Sequence, residues 1–80
     1  MLRIGVDARI VRLLPPEVGE HAAAIPVRMV GDTVQVVFAD PTDPGALAEV
    51  QEYIPKIAVA VAELSDIRFA WRSVLQPPAA

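Results

Sequence analysis

The stretch TVQVVFADPTDPGALAEVQEYIPKIAVAVA, residues 33–62, predicts a strand, a helix and a second strand in succession. Large apolar residues alternate with smaller or polar ones over 33–39 and again over 56–62, which is the two-residue period of a strand. Between them, Asp43 before Pro44 supplies an N-cap carboxylate and a proline at the first helical position. Such a unit requires two parallel strands joined by a right-handed crossover helix.

Strand 56–62 has branched residues on one face and alanines on the other. An alanine face permits the close approach of a helix, while the branched residues Ile57, Val59 and Val61 would fill a wider gap on the opposite side. We therefore expect both faces of this strand to be covered.

A hairpin precedes this unit. Gly31-Asp32 matches a two-residue type II′ turn, which connects a strand over 25–30 to the strand over 33–39. Pro26 donates no ladder hydrogen bond, so the first strand should begin there or lie at an edge. The predicted fold class is α+β, with a small three-stranded mixed sheet in which the second strand is central or lies next to the third.

Three further helices are expected to cover the sheet. Asp7 caps a helix over 8–14, and Pro16 begins a second one that Gly19 weakens. Ser65 caps a last helix over 66–75. The buried stripe of that last helix follows helical spacing and contains Ile67, Ala70, Trp71, Val74 and Leu75.

Composition restricts the class of protein. Eighty residues, 54% hydrophobic and 21% charged, suit one domain with a single core, which we place at 7–75 between an N-terminal extension at 1–6 and a linker at 76–80. The formal net charge of −3 argues against nucleic acid as a partner. No uncharged run approaches the roughly 20 residues of a membrane span. Without cysteine, a reducing compartment such as the cytoplasm is expected.

Catalytic chemistry has few candidate residues. His21 stands alone beside two glutamates, so we interpret it as a surface or half-buried structural histidine and not as a metal ligand. Asp40 ends a buried strand as magnesium-binding aspartates do in P-loop enzymes, but the sequence contains no G-x-x-x-x-G-K-[ST] motif. Asp40 and Asp43 are better explained as turn residues that bind local backbone amides. We assign no catalytic residue, cofactor or metal, and predict that the domain is not an enzyme.

Two arginines lie one turn apart on the last predicted helix. Arg68 and Arg72 flank Phe69, which is off the buried stripe. One interpretation is a solvated helix face. The other is a docking patch, because an exposed aromatic residue beside arginines is typical of protein interfaces.

Four segments occur in an order that resembles the N-terminal domain of type II secretion and type IV pilus assembly ATPases. They are LLPPE at 13–17, IPVR at 25–28, VQVVFADPTD at 34–43 and SDIR at 65–68. The resemblance covers about residues 7–75. It implies a regulatory or docking module of a protein-transport system, with ATP hydrolysis in a separate C-terminal motor. In secretion ATPases such a domain engages the cytoplasmic part of an inner-membrane platform protein, and in some relatives the N-terminal region binds cyclic di-GMP.

The sequence departs from the nucleotide-binding relatives near its start. Those relatives carry long paired motifs that begin Arg-Leu-Gly, whereas here Arg3-Ile4-Gly5 stands without a repeat, so no nucleotide-binding residue is transferred. The leading prediction is a non-catalytic protein-interaction domain, monomeric in isolation and not inserted in a membrane, which contacts its partner through Arg68, Phe69 and Arg72. The alternative is a cyclic di-GMP sensor in which Arg3 and Arg9 meet phosphate.

Overall fold

The computed structural model describes residues 5–75, so the predicted linker at 76–80 and most of the predicted extension at 1–6 lie outside the described residues. The elements follow the predicted order of two helices, two strands, a helix, a strand and a helix. They are α1 Ala8–Val11, α2 Pro16–Ala22, β1 Ala24–Val30, β2 Thr33–Phe38, α3 Pro44–Gln51, β3 Ile57–Val61 and α4 Leu64–Leu75.

The three strands form one mixed sheet in the order β1-β2-β3. β1 runs antiparallel to β2, and β2 runs parallel to β3, which confirms the α+β class and the central position of the second strand. Gly31 has a φ of 64°, whereas the φ of Asp32 is not positive. These are the signs that the predicted type II′ turn requires. Pro26 is accommodated because β1 is an edge strand.

A register shift between Pro26 and Arg28 marks a bulge in β1. The backbone N–H of Asp7 donates to the Val27 carbonyl oxygen at 2.8 Å, so the segment before α1 is attached to the sheet at this bulge. The side chain of Asp7 in turn accepts from the Arg9 N–H at 2.9 Å, as the N-cap prediction requires. The bulge and the cap together fix where α1 begins.

β2 is covered on both faces, but β3 is not. Val36 and Phe38 on one face of β2 are fully buried, and Val37 on the other face is 7% exposed. In β3, Val59 is 47% and Val61 is 66% exposed, so the prediction that both faces of this strand are covered was wrong. The physical reason is strand order: β3 lies at the sheet edge, while α4 packs against β1 and β2.

Two helix ends differ from the prediction. α1 ends at Val11 because Leu13 already donates to Ile10, three residues back, and the residue before Pro15 is disfavoured in helical conformation. α4 begins at Leu64, because the N–H groups of Asp66 and Ile67 both donate to the Glu63 carbonyl oxygen. Ser65 therefore lies inside the first turn of α4 and is not its cap.

The turn between β2 and α3 is held by its aspartates, as predicted. Asp40 Oδ1 accepts from the Thr42 N–H at 3.0 Å, and Asp43 Oδ1 caps α3 by accepting from Gly45 and Ala46 at 2.9 and 3.2 Å. The hydrogen bond from the Thr42 hydroxyl, followed by that from its backbone N–H, lowers the pKa of Asp40. This carboxylate is a structural element of the turn.

Candidate functional site

α2 and α4 meet at one very close contact. Trp71 is 2% exposed, and its Nε1–H donates to the Ala24 carbonyl oxygen at 2.7 Å. A Cβ atom at Gly19 would lie 2.6 Å from Cε2 and 2.8 Å from Nε1 of the indole, closer than such atoms can pack. Gly19 is therefore the position where the two helices touch, and describing it only as a weak point of α2 missed this role.

Beside this contact lies a groove of about 530 Å³ between the two helices. Glu20, the residue after Gly19, lines it from α2. Arg68 and Arg72 line it from α4, since residues four apart lie on the same face of a helix. Leu75 completes the described lining. We call these four residues the α2–α4 groove.

The two groove arginines have no carboxylate partner within residues 5–75. The ion pairs there join Arg9 to Asp7, His21 to Glu49 and Lys56 to Asp32. Like charges one turn apart destabilise a helix by about 0.2–0.5 kcal/mol. A bound anion would reduce this repulsion. The groove therefore contains two arginines that form no ion pair within residues 5–75, together with the carboxylate of Glu20.

The structure divides the three residues predicted as a site. Arg68 and Arg72 line the groove together, whereas Phe69 is 42% exposed and is not among the lining residues. Sequence reasoning missed Glu20, because no sequence pattern connects it to residues so far along the chain. It also assigned Leu75 to the buried stripe of α4, but this side chain is 53% exposed.

The arginines of the alternative prediction lie elsewhere. Arg9 projects from α1 with its side chain 91% exposed, and its Nε lies 3.7 Å from Asp7 Oδ1. Arg3 is outside the described residues. Arg9 therefore pairs with Asp7, whereas neither groove arginine forms an ion pair within residues 5–75.

His21 lies in a second, smaller depression of about 240 Å³ between α2 and α3. Its Nδ1 is 3.0 Å from Glu49 Oε1, and its side chain is 80% exposed. This is the surface position that the sequence predicted. Across residues 5–75, no group of three histidine, aspartate or glutamate side chains is arranged to hold a metal ion.

No helix in the part of the chain that the structure describes is long and apolar enough to cross a membrane. The longest described helix is α4, with 12 residues. A helix of that length is well short of the roughly 20 residues that span a bilayer.

The fold is similar to that of the protein MshE, solved with cdg (cyclic di-GMP). The TM-score is 0.83 and the identity 23%, over 90% of this chain and 53% of the MshE chain. At this identity the likeness shows the fold alone, and the chain spans about half the length of the solved chain that it matches. No curated protein matches the sequence significantly. Residues 3–80 match the MshEN domain family.

These findings correct the functional prediction. The leading interpretation, a protein-interaction domain, is wrong, because the MshEN match and the likeness to MshE with cdg agree better with the cyclic di-GMP alternative. The resemblance to secretion and pilus ATPases is confirmed. The chain belongs to the MshEN domain family, whose members are N-terminal regulatory domains of secretion and pilus ATPases that resemble general secretory pathway protein E.

Proposed function

We propose that this domain is a cyclic di-GMP-binding regulatory module of a longer secretion or pilus ATPase. The observation that carries the proposal is the match of residues 3–80 to the MshEN family. The backbone likeness to MshE, which was solved with cdg, supports it.

Electrostatics sets a condition on such binding. Cyclic di-GMP carries two phosphodiester anions, and the chain itself has a formal net charge of −3. The field of the whole domain therefore opposes the ligand, and affinity has to come from a local concentration of cations. Arg68 and Arg72 lie together in the α2–α4 groove, which also contains the carboxylate of Glu20.

The module would act on the rest of its protein and not on a substrate of its own. We place ATP hydrolysis in a separate motor domain and expect none from these residues. The cytoplasmic location and the partner, the cytoplasmic part of an inner-membrane platform protein, stay proposals. A protein contact at Arg68, Phe69 and Arg72 likewise stays a prediction.

Calorimetric titration of the 80-residue chain with cyclic di-GMP tests the proposal. We expect saturable heat with a dissociation constant in the micromolar range, and a weaker response to GMP, which lacks the second nucleotide. Trp71 is the single tryptophan and lies beside the groove, so its fluorescence provides a second readout. A flat titration in both readouts at millimolar cyclic di-GMP would contradict the proposal.

A further inference from the structure

The two edges of the sheet differ in how well they are protected. The outer edge of β1 is interrupted by a bulge between Pro26 and Arg28, where the Val27 carbonyl oxygen already accepts from the Asp7 N–H at 2.8 Å. Prolines and bulges prevent a further strand from pairing with an edge. The outer edge of β3 lacks both features, because residues 57–61 are only isoleucine, valine and alanine and pair with β2 in regular register.

The backbone of β3 presents hydrogen-bonding groups at this edge. On the inner side, the Lys56 carbonyl oxygen accepts from the Val34 N–H, and the Ala62 N–H donates to the Phe38 carbonyl oxygen, both at 3.1 Å. Successive residues of a strand direct these groups alternately to its two sides, so the N–H and C=O groups of residues 57, 59 and 61 point outward. No strand in the described part of the chain pairs with them.

Exposed branched side chains accompany these backbone groups. Val59 is 47% exposed and Val61 is 66% exposed, and the two lie on the same face of β3. An uncharged apolar edge strand is a template for pairing with another strand. The outer edge of β3 therefore has both the backbone groups and the side chains of a strand-pairing surface.

The charges at the two ends of β3 indicate which strand fits. Lys56 comes directly before the strand, and Glu63, which is exposed, follows Ala62 at the other end. If a second copy of β3 lies antiparallel, with the two Val59 residues opposite each other, Lys56 of each copy comes beside Glu63 of the other. A parallel arrangement would place like charges together, which is destabilising. The strand is therefore complementary to itself in the antiparallel direction.

We propose that the outer edge of β3 pairs antiparallel with the same edge of a second copy of this domain. The outward backbone groups then bond between the copies, and Val59 packs against its counterpart. Such an isologous interface is closed, and the protected β1 edges prevent further growth, so assembly stops at a dimer. This inference goes beyond the proposed function and involves no ligand. It differs from the monomer that the sequence predicts, because the sequence does not show that β3 lies at an edge.

Sedimentation equilibrium of the 80-residue chain tests the proposal. Two strands of five residues bury less than the roughly 1,200 Å² at which stable interfaces begin, so the dimer should be weak. Concentrations from about 10 µM to about 1 mM cover the range of a weak complex. We expect the average mass to rise from 8.6 kDa towards twice that value. A mass that stays at 8.6 kDa, or one that exceeds the dimer, overturns the proposal.

Val59→Lys tests the position of the interface. It places two like charges opposite each other at the centre of the paired strands, whereas in the monomer the side chain extends into solvent. Val30→Lys is the matched control, because Val30 is 54% exposed and ends the other edge strand. We expect Val59→Lys to weaken dimerisation by at least about tenfold and Val30→Lys by less than about twofold. Equal effects of the two substitutions overturn the assignment to β3.

A charge exchange tests the antiparallel direction and leaves Val59 in place. Glu63→Lys brings two positive charges together at each end of the interface and should weaken dimerisation by roughly threefold, as exposed charge pairs allow. Adding Lys56→Glu to that variant restores opposite charges at both ends, so dimerisation should return to the wild-type level. A double variant that dimerises no better than Glu63→Lys alone overturns the antiparallel pairing. Circular dichroism of every variant checks that the fold is retained.

Discussion

The contact between α2 and α4 has a buried half and an open half, and neighbouring residues divide between them. In the buried half, the Trp71 indole lies against Gly19 and donates to the Ala24 carbonyl oxygen at 2.7 Å. The open half contains the next residue of each helix. Glu20 follows Gly19, Arg72 follows Trp71, and both line the groove. The comparison indicates that one half holds the helices together and the other is available for a ligand. Stability and recognition should therefore respond to different substitutions.

Trp71→Ala should have the largest effect on stability. Removing a fully buried aromatic side chain costs about 3–5 kcal/mol, because the transfer energy is lost and a cavity remains. This is a large part of the roughly 5–15 kcal/mol that stabilises a typical domain. Urea unfolding followed by circular dichroism measures the change. A midpoint equal to that of the wild type would show that the buried half does not hold the helices together.

Gly19→Ala should have the next largest effect, and its sign should depend on Trp71. An added Cβ collides with the indole, and overpacking of this kind typically costs about 1–3 kcal/mol. Against this, alanine is better than glycine in a helix by up to about 1 kcal/mol. The free energy of unfolding should therefore fall in the wild-type background.

The matched control is the same substitution in a Trp71→Leu background. Leucine lacks the ring atoms that lie against Gly19, so there Gly19→Ala should stabilise the protein by up to about 1 kcal/mol, the helix-propensity gain alone. A double-mutant cycle isolates the coupling between the two positions. Equal effects in both backgrounds would mean that the indole does not restrict residue 19.

Local rules were enough for the elements whose determinants are adjacent in sequence. Gly31-Asp32 predicted the turn that joins β1 and β2, and Asp43 before Pro44 predicted the start of α3, because each depends on the conformation of a few neighbouring residues. Ser65 shows the limit of the same rule. A serine can cap a helix only where the backbone has not already begun to turn, and here the Glu63 carbonyl oxygen accepts first.

The features that the sequence did not predict depend on contacts between residues that are far apart in the chain. Val59 and Val61 alternate like residues of a covered strand, but their exposure depends on β3 lying at the sheet edge. For the groove, helical spacing was enough to pair Arg68 with Arg72. Glu20 joins them only because Gly19 lets α2 approach Trp71, and a local reading of the sequence has no access to that contact.

Arg68→Ala should have the smallest effect on stability, which makes it the sharpest test of the comparison. Arg68 is a better test position than Arg72, because Arg72 lies in the last turn of α4, where the helix dipole stabilises a cation. Replacing Arg72 would also remove that stabilisation. Exposed substitutions usually change stability by less than about 0.5 kcal/mol, and here the loss of like-charge repulsion offsets the loss of the side chain. Any difference from the wild type should shrink at high salt, which screens exposed charges.

The paired measurements are urea unfolding at low and high salt and cyclic di-GMP titration of the same variant. If Arg68 serves the ligand, affinity should fall by about tenfold, as expected for one charge-assisted hydrogen bond, while the unfolding midpoint stays unchanged. A loss above about 1 kcal/mol of stability, more than an exposed side chain normally contributes, would place Arg68 in the framework of the fold. Arg68 would then contribute both to the packing of the two helices and to the open groove. The buried half and the open half of the contact would no longer have separate roles.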